Sequence, residues 1–128
     1  MFKGIFGKGK GEDKSKPAIA WKDLTSIEDL KALKNDTTEQ YIGIFKHSTR
    51  CVISRTVLER LEKSFPSNLA VDMYYIDLLN YREVSNEVAN LFQVVHQSPQ
   101  FLLIKKGEVI LHESHNDILQ INFEENIK

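Results

Sequence analysis

Short apolar runs that alternate with helical stripes are the feature that most constrains the fold of this chain. Runs at 18–22, 41–46 and 70–76 predict strands, and the segment after each has apolar residues at the spacing of one helix face. Two further runs, at 101–104 and 109–111, are separated only by KKGE, which predicts a β-hairpin with Gly107 at positive φ. A last stretch, DILQINFEENI, predicts a final helix. The order βαβαβαββα indicates an α/β domain with a mixed sheet flanked by helices.

Polar residues at fixed spacing predict where the helices begin and end. Thr25 and Glu28 have the spacing of a capping box before the first helix, with Leu24 as its staple residue. Asn80 and Glu83 have the same spacing before the third helix. Proline and the residue before it disfavour helix, so the second helix is expected to end before position 66.

Composition bounds the domain organisation and excludes several function classes. A length of 128 residues fits one domain, and a net charge of -1 gives no indication of nucleic-acid binding. Residues 1–16 concentrate lysine and glycine and are predicted to be a flexible basic tail before a single domain at 17–128. The apolar runs are too short to span a bilayer, and the tail lacks the apolar core of a secretory signal. We therefore expect a cytoplasmic protein, with one cysteine and no intramolecular disulfide.

Cys51, the only cysteine, lies between the second strand and the second helix. Ligands of α/β sheets bind at such strand ends. The unpaired amides and the dipole of a helix N-terminus favour an anion, and a thiolate is the nucleophilic form of cysteine. Arg50 is adjacent, Lys46 and His47 are expected in the same loop, and Ser54 could offer its hydroxyl to the sulfur. We predict a reactive thiol; the alternative is a buried, inert cysteine.

Two stretches carry a resemblance to known families. The element order and SPQFLLIKKGEVILHESH resemble thioredoxin-fold proteins, which implies that Ser98–Pro99 is a cis peptide bond facing Cys51 and aligning the substrate there. FKHSTRCVIS resembles the KHST-C-P-I-S signature of the monothiol bacilliredoxins, and the similarity extends over roughly residues 18–115. Val52 departs from that signature because it replaces the family's proline and restores a backbone N–H. The departure weakens the inference of activity more than that of fold.

The resemblance implies thiol–disulfide exchange through one protein cysteine. Cys51 would take bacillithiol, or a similar low-molecular-weight thiol, from mixed disulfides on cytosolic proteins, and a second small thiol would regenerate it. Ser54 stands where dithiol relatives have a second cysteine, and Arg50 could hold carboxylates of the small thiol. The implied partners are thiolated cytosolic proteins, the small thiol as co-substrate and a disulfide reductase system. No bound cofactor is expected.

Several alternatives remain open at this stage. Thr49 could cap the second helix with or without a chemical role, and His47 could tune Cys51 or only hydrogen-bond nearby backbone. His112 and His115 suggest a metal, but strand alternation should point them apart, so no metal site is predicted. An iron–sulfur cluster shared by two Cys51 thiolates is a minor alternative. The second function considered is a redox-inactive thioredoxin-fold adaptor in the stress response, in which Cys51 would be inaccessible.

Overall fold

Five strands and four α-helices make up residues 19–128, the part of the chain that the computed structural model describes. The predicted basic tail at 1–16 lies outside the described residues. The strands are β1 (Lys22–Asp23), β2 (Tyr41–His47), β3 (Val71–Asp77), β4 (Gln100–Lys105) and β5 (Glu108–Ser114). The helices are α1 (Ile27–Lys34), α2 (Val52–Ser64), α3 (Arg82–Phe92) and α4 (Phe123–Asn126), with a 3₁₀ helix at His115–Gln120. The predicted order βαβαβαββα is confirmed, with the 3₁₀ helix added between β5 and α4.

The five strands form one mixed sheet in the order β1-β3-β2-β4-β5. β2 pairs in parallel with β3 and antiparallel with β4, and β5 closes the hairpin with β4. His47 lies opposite Asp77, and Lys46 lies opposite Gln100, so the carboxyl ends of β2 and β3 meet the start of β4. We call this the His47 end of the sheet. The loops 48–51, 78–81 and 93–99 all adjoin it.

Each face of the sheet packs against its own set of helices. Residues of β2 alternate between the two cores, and all but the first of its seven are buried, which confirms the prediction of a strand covered on both faces. The α1/α3 face includes Ile42, Ile44, Leu102, Ile104, Leu30, Leu33, Val84, Val88 and Phe92. The α2 face includes Phe45, Phe101, Leu103, Val57, Leu61, Ile118 and Phe123. Burial of these side chains is the main favourable contribution to the free energy of folding, and it fixes the register between β2 and β4.

Two glycines are required by the packing. A Cβ on Gly43 would lie 2.5 Å from Met73 Sδ and 2.8 Å from Phe101 Cζ, so the α2 face has no room for a side chain there. Gly107 has a φ of 74° and Lys106 a φ of 54°, the left-handed pair typical of a two-residue hairpin turn. A Cβ on Gly107 would collide with the carbonyl oxygen of Lys34 at the end of α1. The predicted positive φ at Gly107 is confirmed.

The predicted beginnings of α1 and α3 are wrong in detail. Ser26, not Thr25, caps α1, because its Oγ accepts a hydrogen bond from the Asp29 N–H at 3.1 Å. Asn80 does not cap α3: its Nδ2 donates to Asp77 Oδ2 at 2.8 Å, and the cap position is held by Tyr81 without a side-chain bond. In both places a polar residue correctly indicated that a helix begins nearby. The capping position itself lies one residue later, at Ser26 and Tyr81.

The first strand and the last helix are also shorter than predicted. β1 begins at Lys22, whereas the apolar run suggested residues 18–22, because pairing with β3 covers only Lys22 and Asp23. The final segment does not form one helix. The 3₁₀ helix ends at Gln120, and the Asn122 side chain accepts a hydrogen bond from the Glu125 N–H at 3.1 Å, so that α4 begins separately. No helix within residues 19–128 is both long and apolar enough to cross a bilayer.

Candidate functional site

Cys51 lies at the His47 end of the sheet, between β2 and α2. Its backbone N–H donates to the Ser48 carbonyl at 3.1 Å, which closes a turn with Thr49 and Arg50 at its two exposed central positions. The thiol is free and half-buried. The structure thus places the cysteine at the junction that the sequence indicated, outside the two hydrophobic cores.

The first turn of α2 presents backbone donors at this position. Cys51 is the N-cap residue in an extended conformation, and its carbonyl accepts the first helical bond from Arg55 N–H at 3.0 Å. The amides of Val52, Ile53 and Ser54 precede that bond and therefore have no intrahelical acceptor. The first turn contains no acidic residue. An anion at the start of α2 would meet the positive end of the helix dipole without a competing carboxylate in that turn.

Thr49 does not cap α2, contrary to the prediction, which made it the cap with or without a chemical role. The cap position belongs to Cys51, which makes no side-chain cap bond. The Ser48–Cys51 turn moves Thr49 two residues ahead of the helix and leaves it exposed. Arg50 is exposed in the same turn, next to the cysteine, where it remains accessible to a ligand.

Ser54 does not offer its hydroxyl to the sulfur. Its Oγ accepts a hydrogen bond from the Ser48 N–H at 3.1 Å and lies 2.7 Å from His47 Nδ1. His47 Nδ1 is the only acceptor within hydrogen-bond distance of this hydroxyl among residues 19–128, so we assign the hydroxyl hydrogen to Nδ1, which places the His47 proton on Nε2. The fully buried hydroxyl thereby joins the end of β2, the turn and the first turn of α2.

His47 is buried, and its surroundings favour the neutral imidazole. Burial lowers its pKa, the Asp77 carboxylate opposes this, and the charge of Arg55 adds to the lowering. The ring packs against Phe45 and Tyr75, with centroids 6.1 and 5.6 Å away. Of the two roles considered for His47, the geometry shows the local hydrogen bond, through Ser54 to the Ser48 backbone.

An aromatic cluster of Trp21, Phe45 and Tyr75 packs around His47. Trp21 packs against Phe45 and Tyr75, with centroids 5.8 and 6.1 Å away, and its Nε1 donates to Glu62 Oε2 at 2.7 Å. Burial, followed by the charges of Asp77, Asp23 and Glu62, raises the pKa of Tyr75. The indole therefore fixes the start of the sheet to α2 and does not form an open binding surface.

Ser98 and Pro99 adjoin the same end of the sheet. Their peptide bond is cis, the isomer that the resemblance implied. Pro99 is buried, and its carbonyl accepts from His115 N–H at 2.9 Å. Ser98 Oγ is buried and has no hydrogen-bond partner among residues 19–128. β4 begins with the next residue, Gln100, which is in register with Lys46.

Apolar side chains surround this end of the sheet. Six large hydrophobic residues are exposed in the described part of the chain, and five of them lie at this end of the sheet, two in the first turn of α2 and three in the loops 78–81 and 93–99. The most exposed are Val95, at 76%, and Val52, at 65%. The others of this group, which we call the apolar rim, are Ile53, Leu79 and Tyr81. Such a concentration at one end of the sheet is typical of a surface that meets another macromolecule.

A buried polar group that the sequence did not predict lies on the α1/α3 face of the sheet, at the His47 end. Lys46 is not in the loop with Cys51 but within β2, fully buried, with Nζ 3.0 Å from His96 Nδ1. Burial lowers its pKa to about 8. Gln100 is also buried, at 1% exposure. The available signal was strand alternation, since Ile42, Ile44 and Lys46 must share a face.

His112 in β5 and His115 at the start of the 3₁₀ helix do not form part of a metal site. His112 and His115 are both exposed. Residues 19–128 contain no group of three or more His, Cys, Asp or Glu side chains arranged to hold a metal ion.

Comparisons with known proteins agree with this geometry. Among solved structures, a thioredoxin-fold protein to which oxidoreductase activity has been ascribed is 28% identical, with a TM-score of 0.66 over 77% of this chain and 85% of its own. Thioredoxin from Nicotiana alata is 19% identical, with a TM-score of 0.69 over 89% and 97% of the two chains. Fasciola hepatica thioredoxin is 22% identical, with a TM-score of 0.60 over 83% and 98%. These similarities show a thioredoxin-like fold.

The family comparison is more specific than the fold. A family model described as monothiol bacilliredoxin BrxC matches residues 22–122, which includes β1, the cysteine, the cis-proline and the terminal hairpin. The match covers most of the chain. The protein therefore belongs to the monothiol bacilliredoxin family.

Proposed function

We propose that this protein catalyses thiol–disulfide exchange through Cys51 alone and removes a small thiol from mixed disulfides on proteins. The observation that carries the proposal is a free, half-buried thiol at the N-cap of α2, at the end of the sheet where the apolar rim and the Ser98–Pro99 segment also lie. Family membership supports the same general chemistry. The cytoplasm, where thiols are kept reduced, is the compartment that suits this activity.

The first step is attack by the Cys51 thiolate on the small-thiol sulfur of a protein mixed disulfide. A disulfide forms between Cys51 and the small thiol while the original disulfide breaks. The substrate protein leaves as a thiolate and takes a proton from solvent. The unpaired amides at the start of α2 would stabilise the anionic nucleophile. Backbone groups at Ser98 and Pro99 would align the substrate chain beside the sulfur.

The second step needs another small thiol because the chain contains only one cysteine. That thiol attacks the mixed disulfide on Cys51, restores the cysteine and leaves as a symmetrical small-thiol disulfide. The net reaction converts one protein mixed disulfide and one small thiol into a protein thiol and that disulfide. A separate reductase system would reduce the disulfide. Ser54 cannot replace the second thiol, and its hydroxyl is engaged by His47 and Ser48.

Bacillithiol is the small thiol that we propose, on the strength of the family. Its carboxylates would be held by the exposed Arg50 guanidinium, which can form paired, charge-assisted hydrogen bonds. The substrate protein would contact the apolar rim, where Val52 and Val95 expose the largest fractions of their side chains. Arg50 would thus bind the small thiol, and the apolar rim would bind the protein to which that thiol is attached.

Intact mass spectrometry tests the proposal directly. The wild-type protein is mixed with a bacillithiolated test protein, with a glutathionylated test protein as the specificity control and Cys51→Ala as the negative control. The expected result is a rapid single adduct on Cys51 with release of the test protein's thiol. An Arg50→Gln variant should lose much of the preference for bacillithiol over glutathione.

Two results would contradict the proposal. An adduct that forms only after denaturation would mean an inaccessible thiol, and the protein would then be a redox-inactive adaptor. Equal rates with both test proteins would leave the exchange chemistry in place and exclude bacillithiol as the preferred thiol.

A further inference from the structure

A buried polar pair lies on the opposite face of the sheet from His47. Lys46 and Gln100 are 0% and 1% exposed and face each other across β2 and β4. By strand alternation they share the α1/α3 face with Ile44 and Leu102. No carboxylate within residues 19–128 forms a salt bridge with Lys46. A buried ammonium without a counter-charge weakens the fold, and a methionine of similar length would not.

Both side chains reach the same loop. Lys46 Nζ lies 3.0 Å from His96 Nδ1, and Gln100 Nε2 donates to the Val95 carbonyl at 2.9 Å. Burial, followed by the charges of Lys46 and Arg82, lowers the pKa of His96, so its Nδ1 is free to accept from the ammonium at neutral pH. Two successive residues are therefore held from beneath by two buried donors. We call the segment 94–99, which ends in Ser98–Pro99, the proline loop.

The proline loop contributes an apolar rim residue, Val95, and the cis-proline to the end of the sheet where Cys51 lies. Val95 has the most exposed large apolar side chain in the described residues, although its carbonyl is anchored to Gln100. Pro99 follows four residues later, and β4 begins directly after it. A small displacement of the loop would shift both the apolar rim and the backbone beside the thiol. The anchoring residues themselves point to the α1/α3 face, opposite to His47, because successive strand residues point to opposite faces.

We propose that Lys46 and Gln100 are positioning residues for the protein substrate. They hold the proline loop in the position that the substrate needs in order to bind beside Cys51. The inference rests on the proposed exchange function and deepens it. It assigns substrate affinity to a polar group on the far face of the sheet, separate from the chemistry at the sulfur. Gln100 Oε1 has no hydrogen-bond partner among the described residues, so the contact of this side chain with the loop is made by its Nε2 donor alone.

The test compares Lys46→Met, His96→Leu and the double variant with the wild type. Lys105→Met is the matched control, because Lys105 lies at the other end of β4, where it pairs with Glu39 at 3.0 Å. KM and kcat are measured with a bacillithiolated protein, and the alkylation rate of Cys51 is measured with iodoacetamide. Loss of one charge-assisted hydrogen bond should raise KM roughly tenfold. The kcat and the alkylation rate should stay unchanged, and the control should behave as the wild type.

The double variant shows whether Lys46 acts through His96. If the two residues work through one contact, the rise in KM in the double variant should equal that of either single variant. Gln100→Leu supplies an independent variant of the second anchor, with the same direction expected. An unchanged KM in all three single variants would overturn the proposal. A fall in alkylation rate that matches the loss of exchange would also overturn it, because the pair would then act on the thiol.

Hydrogen exchange separates this inference from the proposed function. Amides of the proline loop should exchange at least several-fold faster in Lys46→Met, while those in the centre of β2 keep their protection. If amide hydrogen exchange in the loop is faster in Lys46→Met but the wild-type protein has no thiol–disulfide exchange activity, the proposed function is refuted and the anchoring role remains. Unchanged loop exchange would refute the anchoring role whatever the activity.

Discussion

His47 Nδ1 and Ser54 Oγ lie 2.7 Å apart and join the last residue of β2 to the third residue of α2. The Ser48 N–H completes this network at 3.1 Å. The turn that carries Cys51 is therefore fixed at both ends by one buried hydroxyl. Ser54 thus makes a structural hydrogen bond that connects the strand, the turn and the helix around Cys51.

Ser54→Ala should lower the free energy of unfolding by about 1–3 kcal/mol, because it leaves the buried His47 Nδ1 and the partly buried Ser48 amide without their shared partner. The alkylation rate of folded Cys51 should change little, since the hydroxyl does not contact the sulfur. Urea unfolding and iodoacetamide labelling measure the two effects. Ser64→Ala, at an exposed hydroxyl at the end of α2, is the control. A large loss of thiol reactivity at unchanged stability would contradict the assignment.

Stability should fall as the pH is lowered below about 6.5. Burial lowers the pKa of His47 and of His96 from the ordinary value of 6.5. Just below pH 6.5 the unfolded chain therefore binds more protons than the folded protein does, which favours unfolding. Their contribution is fully present above pH 6.5 and is lost between that value and the lower folded pKa values. Urea midpoints at pH 7.5, 6.5 and 5.5 test this, and His47→Gln and His96→Gln should each flatten the slope. A slope that is identical in the wild type and in both variants would exclude these histidines as its source.

Much of the fold was accessible from the sequence because its signals are local. The stripe Val57 and Leu61 and the run YIGIFK predicted α2 and β2 at nearly their observed bounds. The position of Cys51 followed from those two elements. Side-chain partners were not accessible in the same way. Ser54 had equal reason to meet the sulfur or a histidine, and only the three-dimensional path of the turn decides between them.

The buried pair shows a different limit of the sequence. Lys46 follows a strand pattern in which every second residue faces the α1/α3 core, yet a lysine is rarely placed in a core without a partner. That expectation assigned it to the loop. Its partner His96 is 50 residues away in sequence, and nothing local to either residue indicates the contact. Long-range polar pairs of this kind depend on the sheet register that brings β4 beside β2.

Val52→Pro should increase stability by about 0.5–1 kcal/mol. Position 52 is the first residue of α2, its N–H has no intrahelical acceptor, and proline restricts the unfolded chain. The amides of Ile53 and Ser54 remain available to the thiolate, so the alkylation rate of Cys51 should stay within about twofold of the wild-type rate. Thermal unfolding and iodoacetamide labelling provide the measurements, with Val95→Pro as a control outside the helix. A loss of stability would show that the Val52 N–H has a partner that proline removes.

Lys46→Met should make the protein more stable at pH 7, although the proposed anchoring role predicts weaker substrate binding. Burial lowers the Lys46 pKa from 10.5 to about 8, which corresponds to about 3 kcal/mol of destabilisation while the amine is protonated in both states. The folded protein releases this proton first as the pH rises, so wild-type stability should increase between pH 8 and 10.5. Loss of the His96 contact offsets part of the gain and leaves a net increase of about 1–2 kcal/mol at pH 7. Urea unfolding of both proteins at pH 7 and pH 9.5 measures the difference, which should shrink at the higher pH. A variant that is less stable than the wild type at pH 7 would mean that Lys46 supports the fold itself, and any loss of affinity would then need no positioning role.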